Sequence, residues 1–259
     1  MPATSLHPGP VYGPVHSRRL GVSLGVNLMP TTGKICTFDC LYCEDGFNAE
    51  RRTHDKCVSA GAYETALEAK LREMSEGGEL PDVITFSGNG EPTAAPCFPE
   101  AVRATVRLRD AYAPDCKIAV LSNATLADRP EVREALMLVD DNILKLDTVD
   151  ADYIRFLDRP CGPYDVGHQI ETLASYQGHV IVQTIFLRGS YEGTSCDNTG
   201  EKYVGPWLDA LARIAPQAAT IYTIARPTPA AGLEKAPAEV LDAIAERVRA
   251  LGIPCQVSY

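Results

Sequence analysis

The chain has 259 residues, 45% hydrophobic and 22% charged, and its 34 acidic side chains against 24 Lys and Arg give a formal net charge of −10. These values describe a globular protein with a sizeable core, of ordinary length for one α/β barrel. No apolar run nears the roughly 20 residues a membrane span needs, and the acidic balance disfavours a general nucleic-acid binder, which relies on Lys and Arg at phosphates.

The N-terminal stretch MPATSLHPGPVYGPVHSRRLG lacks the apolar centre of a signal peptide, so a soluble cytoplasmic protein is expected. Residues 1–19 then form an N-terminal extension. LGVSLGVNL (20–28) reads as a first strand. YETALEAKLREM (63–74) places Tyr63, Leu67, Leu71 and Met74 on one helical face. DVITFSG (82–88) is a strand, and FPEAVRATVRLRDAY (98–112) a helix with Phe98, Val102 and Val106 in line. KIAVLSN (117–123) is a strand, RPEVREALML (129–138) a helix opened by Pro130, and NILKLD (142–147) a fourth strand. DVGHQIETLASY (165–176) is a helix, HVIVQTIFL (179–187) a fifth strand, and VGPWLDALARIA (204–215) a helix. ATIYTIA (219–225) is a sixth strand, and APAEVLDAIAERVRALG (236–252) aligns Val240, Ile244, Val248 and Leu251 before Gly252 ends it. Residues 20–252 thus hold six βα units, with 253–259 a C-terminal strand or tail. Alternation of this kind predicts an α/β fold with a parallel sheet, an open barrel or a doubly wound sheet, with ligands at the carboxyl ends of the strands.

Residues at those strand ends carry the chemistry. After the first strand, KICTFDCLYCEDGFN places Cys36, Cys40 and Cys43 within eight positions. Thiolates hold iron–sulfur clusters, and three thiolates on a four-iron cluster leave one iron open to a substrate or cofactor. A zinc site that recruits His54 or Cys57 as a fourth ligand is the competing reading, as are three thiols that are merely neighbours. The other six cysteines, Cys57, Cys97, Cys116, Cys161, Cys196 and Cys255, are scattered, as small buried hydrophobes would be. The second strand runs into FSGNGEPT, where glycines expose backbone and Glu91 offers a carboxylate to an ammonium group. The third ends in Ser122-Asn123, groups suited to sugar hydroxyls or to a helix cap. The fourth brings Lys145 and Asp147, a carboxylate-binding pair or an interior ion pair. The following segment, DADYIRFLDRPCGP (150–163), reads as a loop of the kind that selects substrate.

CTFDCLYCE combined with TFSGNGEPT resembles the radical S-adenosylmethionine (SAM) superfamily. SRRLGVSLGVN, LSNAT and KLD narrow the resemblance to short proteins related to the catalytic domain of the tRNA wyosine-base synthase. The resemblance implies a partial (β/α)6 TIM-type barrel, open on one side. It implies a [4Fe–4S] cluster on Cys36, Cys40 and Cys43, whose fourth iron takes the methionine part of SAM. Gly88, Asn89, Gly90 and Glu91 would bind the SAM ammonium, and Tyr42 would lie near the adenine. Ser122 and Asn123 would face the ribose or methionine, Lys145 the SAM carboxylate with Asp147 beside it, and Gln183, Thr184 and Tyr222 the adenine side. It further implies reductive cleavage of SAM to methionine and a 5′-deoxyadenosyl radical that abstracts hydrogen from a tRNA base or small molecule, in an oxidoreductase or transferase reaction. Flavodoxin or ferredoxin would supply the electron. Separately, the closeness in sequence of Arg18, Arg19, Arg51 and Arg52 to the cysteine loop suggests that they dock such a donor or an anionic substrate. A glycyl-radical activating enzyme and a non-catalytic zinc protein are the alternative functions.

Overall fold

The computed structural model describes residues 6–17 and 21–259, so Arg18 and Arg19 lie outside it. An eight-stranded sheet forms the frame. Its strands are β1 (Val11–Ser17), β2 (Gly21–Asn27), β3 (Val83–Ser87), β4 (Lys117–Ser122), β5 (Asp141–Lys145), β6 (Ile181–Ile185), β9 (Ala218–Tyr222) and β11 (Cys255–Ser258), in that spatial order. All are parallel except β1, which pairs antiparallel with β2. Strand order follows chain order with no reversal. A doubly wound sheet needs a switch point, so this is a barrel-type sheet. β1 and β11 remain unpaired with each other, and the barrel is open.

The crossovers are α1 (Ala60–Gly77), α2 (Phe98–Tyr112), α3 (Pro130–Leu136), α4 (Ala151–Leu157), α5 (Val166–Ala174), α6 (Glu201–Ile214) and α7 (Ala238–Ala250). Local chemistry sets their limits: Ser59 caps the start of α1 by accepting from Ala62, and Asp165 caps α5 through the N–H groups of Gly167 and His168. Tyr63, Leu67, Leu71 and Met74 are buried along α1 as their spacing requires. Leu251 differs: it follows the last turn of α7 and is 44% exposed.

Five elements were not read from the sequence: β1, α4, β7 (Leu187–Tyr191), β8 (Thr194–Ser195) and β10 (Leu233–Lys235). β1 contains Gly13 and Pro14, which read as turn residues, and a strand with proline belongs at a sheet edge, where it lies. The expected loop at 150–163 contains α4, opened by Asp150, whose carboxylate accepts from Asp152 and Tyr153. The single β-branched run at 179–187 divides at Phe186. β6 joins the main sheet, and β7 leaves it for a small sheet with β8 and β10.

Period-two alternation gives the sheet two different faces. Leu24, Val26, Ile84, Phe86, Ile118, Val120, Leu144, Val182 and Ile221 point outward and pack with the helices into the main core. The inward row begins with a small apolar layer of Val83, Ala119 and Ile143. Towards the carboxyl ends it becomes polar, with Thr85, Ser87, Lys145, Gln183 and Tyr222. The outward row includes Thr184, whose hydroxyl donates to the Leu146 carbonyl at 2.7 Å and accepts from Trp207 Nε1 at 3.1 Å. Trp207 is 1% exposed, and its ring meets Phe186 edge-on. Trp207→Phe removes a buried donor and some volume, and is expected to cost about 2 kcal/mol, read as a lower urea midpoint with an unchanged slope.

Candidate active site

Cys36, Cys40 and Cys43 lie on the loop after β2 and line one cavity of about 260 Å³ at the carboxyl ends of the strands. This loop is fastened on both sides. On one side, Ile35 and Gly90 form an isolated parallel bridge: Ile35 N–H donates to the Asn89 carbonyl at 3.1 Å, and Glu91 N–H to the Ile35 carbonyl at 2.9 Å. A Cβ on Gly90 would stand 2.0 Å from the Ile35 carbonyl oxygen, and the residue has φ +121°, so the motif needs glycine there for two independent reasons. On the other side, Leu41 N–H donates to the Leu157 carbonyl at 2.9 Å and Asp39 N–H to the Asp158 carbonyl at 3.0 Å. Phe38, Cys40, Leu41 and Tyr42 pack with Tyr153 and Leu157 of α4 in a second apolar cluster. The segment after α4 therefore clamps the cysteine loop: Cys161 N–H donates to the Thr37 carbonyl at 2.8 Å, and Arg159 pairs with Asp39 at 3.2 Å.

Burial pushes all three thiols above their ordinary range, Cys36 to about 12. Two lysines oppose this, Lys145 at Cys40 and Lys34 at Cys36 and Cys43. Lys34 is 5% exposed, and its Nζ lies 3.2 Å from Cys43 Sγ and 2.7 Å from the Gly46 carbonyl. Burial draws its pKa down, but the sulfurs of Cys43 and Cys36 outweigh that and hold it above the usual value.

Glu91 is buried at the centre of the glycine motif and accepts four hydrogen bonds. Oε1 takes Thr93 N–H at 3.0 Å, Thr93 Oγ1 at 2.6 Å and Ser122 Oγ at 2.7 Å; Oε2 takes Asn123 N–H at 2.7 Å. Burial raises its pKa, and these donors oppose the rise. The carboxylate thus ties the end of β3 to the end of β4. Asn123 Nδ2 reaches Thr37 Oγ1 at 2.8 Å and the sulfur of Cys36 at 3.7 Å.

Lys145, Asp147, Asp158 and Tyr42 form a buried network. Lys145 Nζ lies 2.6 Å from Tyr42 OH and 3.2 Å from Asp147; Tyr42 OH also bonds Asp147, and Asp158 at 3.0 Å. Burial raises Asp158 well above the carboxylate range, and the neighbouring Asp147 adds to it. Lys145 is held above the usual range: burial opposes its charge, and the Asp147 carboxylate outweighs the burial. One ammonium thus faces two carboxyl groups, Asp147 directly and Asp158 through the Tyr42 hydroxyl.

Of the residues singled out in the sequence, the cavity gathers Cys36, Cys40, Cys43, Tyr42, Gly90, Glu91, Ser122, Asn123, Lys145, Gln183 and Tyr222. Four stand elsewhere. Gly88 packs against Asn27, and Asn89 is fully buried, its amide donating to the Pro30 carbonyl at 2.9 Å. Asp147 lies behind Lys145 and also accepts from Ile185 N–H at 3.0 Å. Thr184 faces the helices, because neighbours on a strand point to opposite faces and Gln183 already points inward. The exposed His54 and half-buried Cys57 lie off the cavity, Cys57 against Met29 at 3.8 Å. Cys196 is fully buried, while Cys161 is exposed beside the loop. Neither Arg51 nor Arg52 lines the cavity. Sequence reasoning passed over Lys34, which adjoins the motif, and Glu44, Asp45 and Arg226. Asp45 is raised to about 6, chiefly by burial, and Glu44 pairs with Arg226 at 2.7 Å.

A second space of about 880 Å³ fills the barrel lumen. Tyr12, Ser23, Thr85, Ser87, Thr220 and Gln256 give it hydroxyls and an amide. It shares Glu44, Asp45, Leu121, Gln183 and Arg226 with the first cavity, so the two adjoin.

Among the described residues no three His, Cys, Asp or Glu side chains gather as ligands of a metal ion. A single zinc needs sulfurs about 2.3 Å from one point, whereas an iron–sulfur cube places each thiolate on a different iron. Three thiols around one cavity are the donor type that such a cube takes.

Solved structures share the fold. SuiB of Streptococcus suis, solved bound to S-adenosylmethionine, superposes with a TM-score of 0.62 at 14% identity, over 88% of this chain and 49% of SuiB. A radical SAM methyltransferase from Sphaerobacter thermophilus gives 0.60 at 20% identity, over 91% of this chain and 66% of that one. The fold is thus the partial barrel seen in radical SAM enzymes. No family model matches the chain. A UPF0026 protein of Synechocystis sp. is 31% identical over 224 residues, 85% of this chain and 77% of that protein, and the chain belongs to the UPF0026 family. A UPF0026 protein of Helicobacter pylori is 30% identical over 187 residues, and the match spans only 58% of that longer relative.

The Gly90 bridge gives a direct test. Gly90→Ala is expected to lower stability by at least about 2 kcal/mol and to free the cysteine loop, read by urea denaturation and by faster amide exchange at Ile35 and Glu91.

Proposed function

We propose that this chain is a radical SAM enzyme acting on a small polar substrate in the barrel lumen. One observation carries the reading: three thiols of a Cys-x3-Cys-x2-Cys loop face the same cavity as Gly90, Glu91, Ser122, Asn123, Lys145 and Gln183. Cys36, Cys40 and Cys43 would hold a [4Fe–4S] cluster. When bound, that cluster supplies one electron to the SAM sulfonium, breaking the S–C5′ bond to give methionine and a 5′-deoxyadenosyl radical that takes a hydrogen atom from the substrate.

The protein's part is to bind, orient and exclude. Gly90 offers backbone at the cavity wall, and Lys145 offers an ammonium to a carboxylate, fixed in place by Asp147 and Tyr42. Glu91 and Asn123 hold the β3 and β4 ends in register, so Glu91 acts first as a positioning residue. The apolar side chains of Phe38, Leu121, Ile185 and Ile224 keep water from the cavity. Carboxylates outnumber cations around the lumen: Glu44, Asp45, Asp82, Asp115 and Asp141 against Lys117 and Arg226. That balance favours a neutral or cationic substrate over a phosphate-bearing one and weighs against the tRNA base that the wyosine-type motifs suggest. A flavodoxin or ferredoxin would supply the electron in a cytoplasmic setting, and among the described residues no helix is long and apolar enough to cross a membrane.

The test is anaerobic reconstitution with iron and sulfide, followed by dithionite and SAM. We expect about four irons per chain, a reduced-cluster electron paramagnetic resonance signal, and 5′-deoxyadenosine. Cys43→Ala should abolish the nucleoside product. Colourless protein with stoichiometric zinc and no 5′-deoxyadenosine would refute the reading.

A further inference from the structure

Among the described residues, Lys34 is the buried cation beside the thiol trio that the proposed chemistry leaves without a task. It precedes Cys36 by two residues, and its backbone N–H donates to the Arg51 carbonyl at 2.7 Å, which fixes the start of the cysteine loop against its return. Its side chain turns inward, with only 5% exposure. The two acceptors within reach are the Gly46 carbonyl at 2.7 Å and the sulfur of Cys43 at 3.2 Å. A backbone carbonyl carries no net charge, so the ammonium is not neutralised where it is anchored. A lysine so buried costs the fold free energy unless a negative group answers it. Two groups can answer it: the sulfur of Cys43 at 3.2 Å and the carboxylate of Asp45, whose raised pKa Lys34 draws back down.

We infer that Lys34 is a positioning residue for the metal centre: its ammonium, anchored on Gly46, donates to the Cys43 sulfur and raises the reduction potential of an iron–sulfur cluster held there. The inference rests on the proposed function. Its physical basis is electrostatic. Reduction adds one negative charge to a group that already carries thiolates. A fixed positive charge in a low-dielectric setting lowers the energy of the more negative state, and hydrogen bonds to ligand sulfur act in the same direction. The Gly46 contact matters because it holds the ammonium in place in both oxidation states.

The experiment compares wild type, Lys34→Met and Lys34→Arg after anaerobic reconstitution, each with iron and sulfide analysis and an electron paramagnetic resonance redox titration. Met keeps the length of the side chain and removes the charge; Arg keeps the charge. The expected result is full metal content in all three, with the reduced-to-oxidised ratio of Lys34→Met at least tenfold lower at a fixed potential. That is a shift of 59 mV or more to the negative for a one-electron couple. Lys34→Arg should recover most of it. If Lys34→Met takes up no cluster, Lys34→Gln is loaded beside it. Failure of both neutral variants with success of Lys34→Arg supports the need for the charge. Failure of all three, with near-native circular dichroism, assigns Lys34 a purely structural role and overturns the inference. A loaded Lys34→Met that titrates at the wild-type potential overturns it alone. A wild-type chain that takes up no iron and sulfide defeats the proposed function, and this inference with it.

Discussion

The site depends on one short parallel bridge between Ile35 and Gly90. It joins a loop carrying three thiols to the end of the neighbouring strand, through two backbone hydrogen bonds that no side chain could replace. Approach this close is possible because Gly90 brings no Cβ to the Ile35 carbonyl. With the bridge in place, Gly90 and Glu91 face the cavity beside the sulfurs, and Glu91 passes the constraint to β4 through Ser122 and Asn123. The opposite edge of the loop rests on α4, so the thiols are set between two rigid elements rather than on a free loop.

Buried charge is the second organising feature. Lys145 meets Asp147, and Lys34 meets the sulfurs. Lys145 lines the cavity and Lys34 is buried beside the Cys43 sulfur, and each ammonium would be unfavourable there without its partner. Perturbed groups of this kind concentrate at functional sites because a fold gains little from them otherwise. Asp45 belongs to the same set, lying where the two cavities meet.

The six βα units and the position of the cysteine loop were legible because hydrophobic period and thiol spacing are local signals. What was not legible is what depends on distant partners. α4 was hidden because its seven residues are fewer than two full periods, and its reward is packing on the cysteine loop. β1 was hidden by Gly13 and Pro14. The strand-end residues were recognisable as a group but not individually. Alternation could have separated Gln183 from Thr184 in advance, whereas nothing local marks Asn89 as a structural staple or Glu91 as saturated by four donors. Lys34 was visible in the motif, but a lysine on a loop ordinarily faces water, and only the fold turns it inward.

The unclosed side of the barrel has a last consequence. The lumen runs from Tyr12 and Val15 on one border strand to Gln256 on the other, and among the described residues no strand bridges them. A closed tunnel would limit its guest to what fits inside. A slotted one sets no such ceiling, since a projecting group can enter through the slit while the body that bears it stays in solvent. The small polar group proposed for the lumen could therefore be a free molecule or part of a larger body.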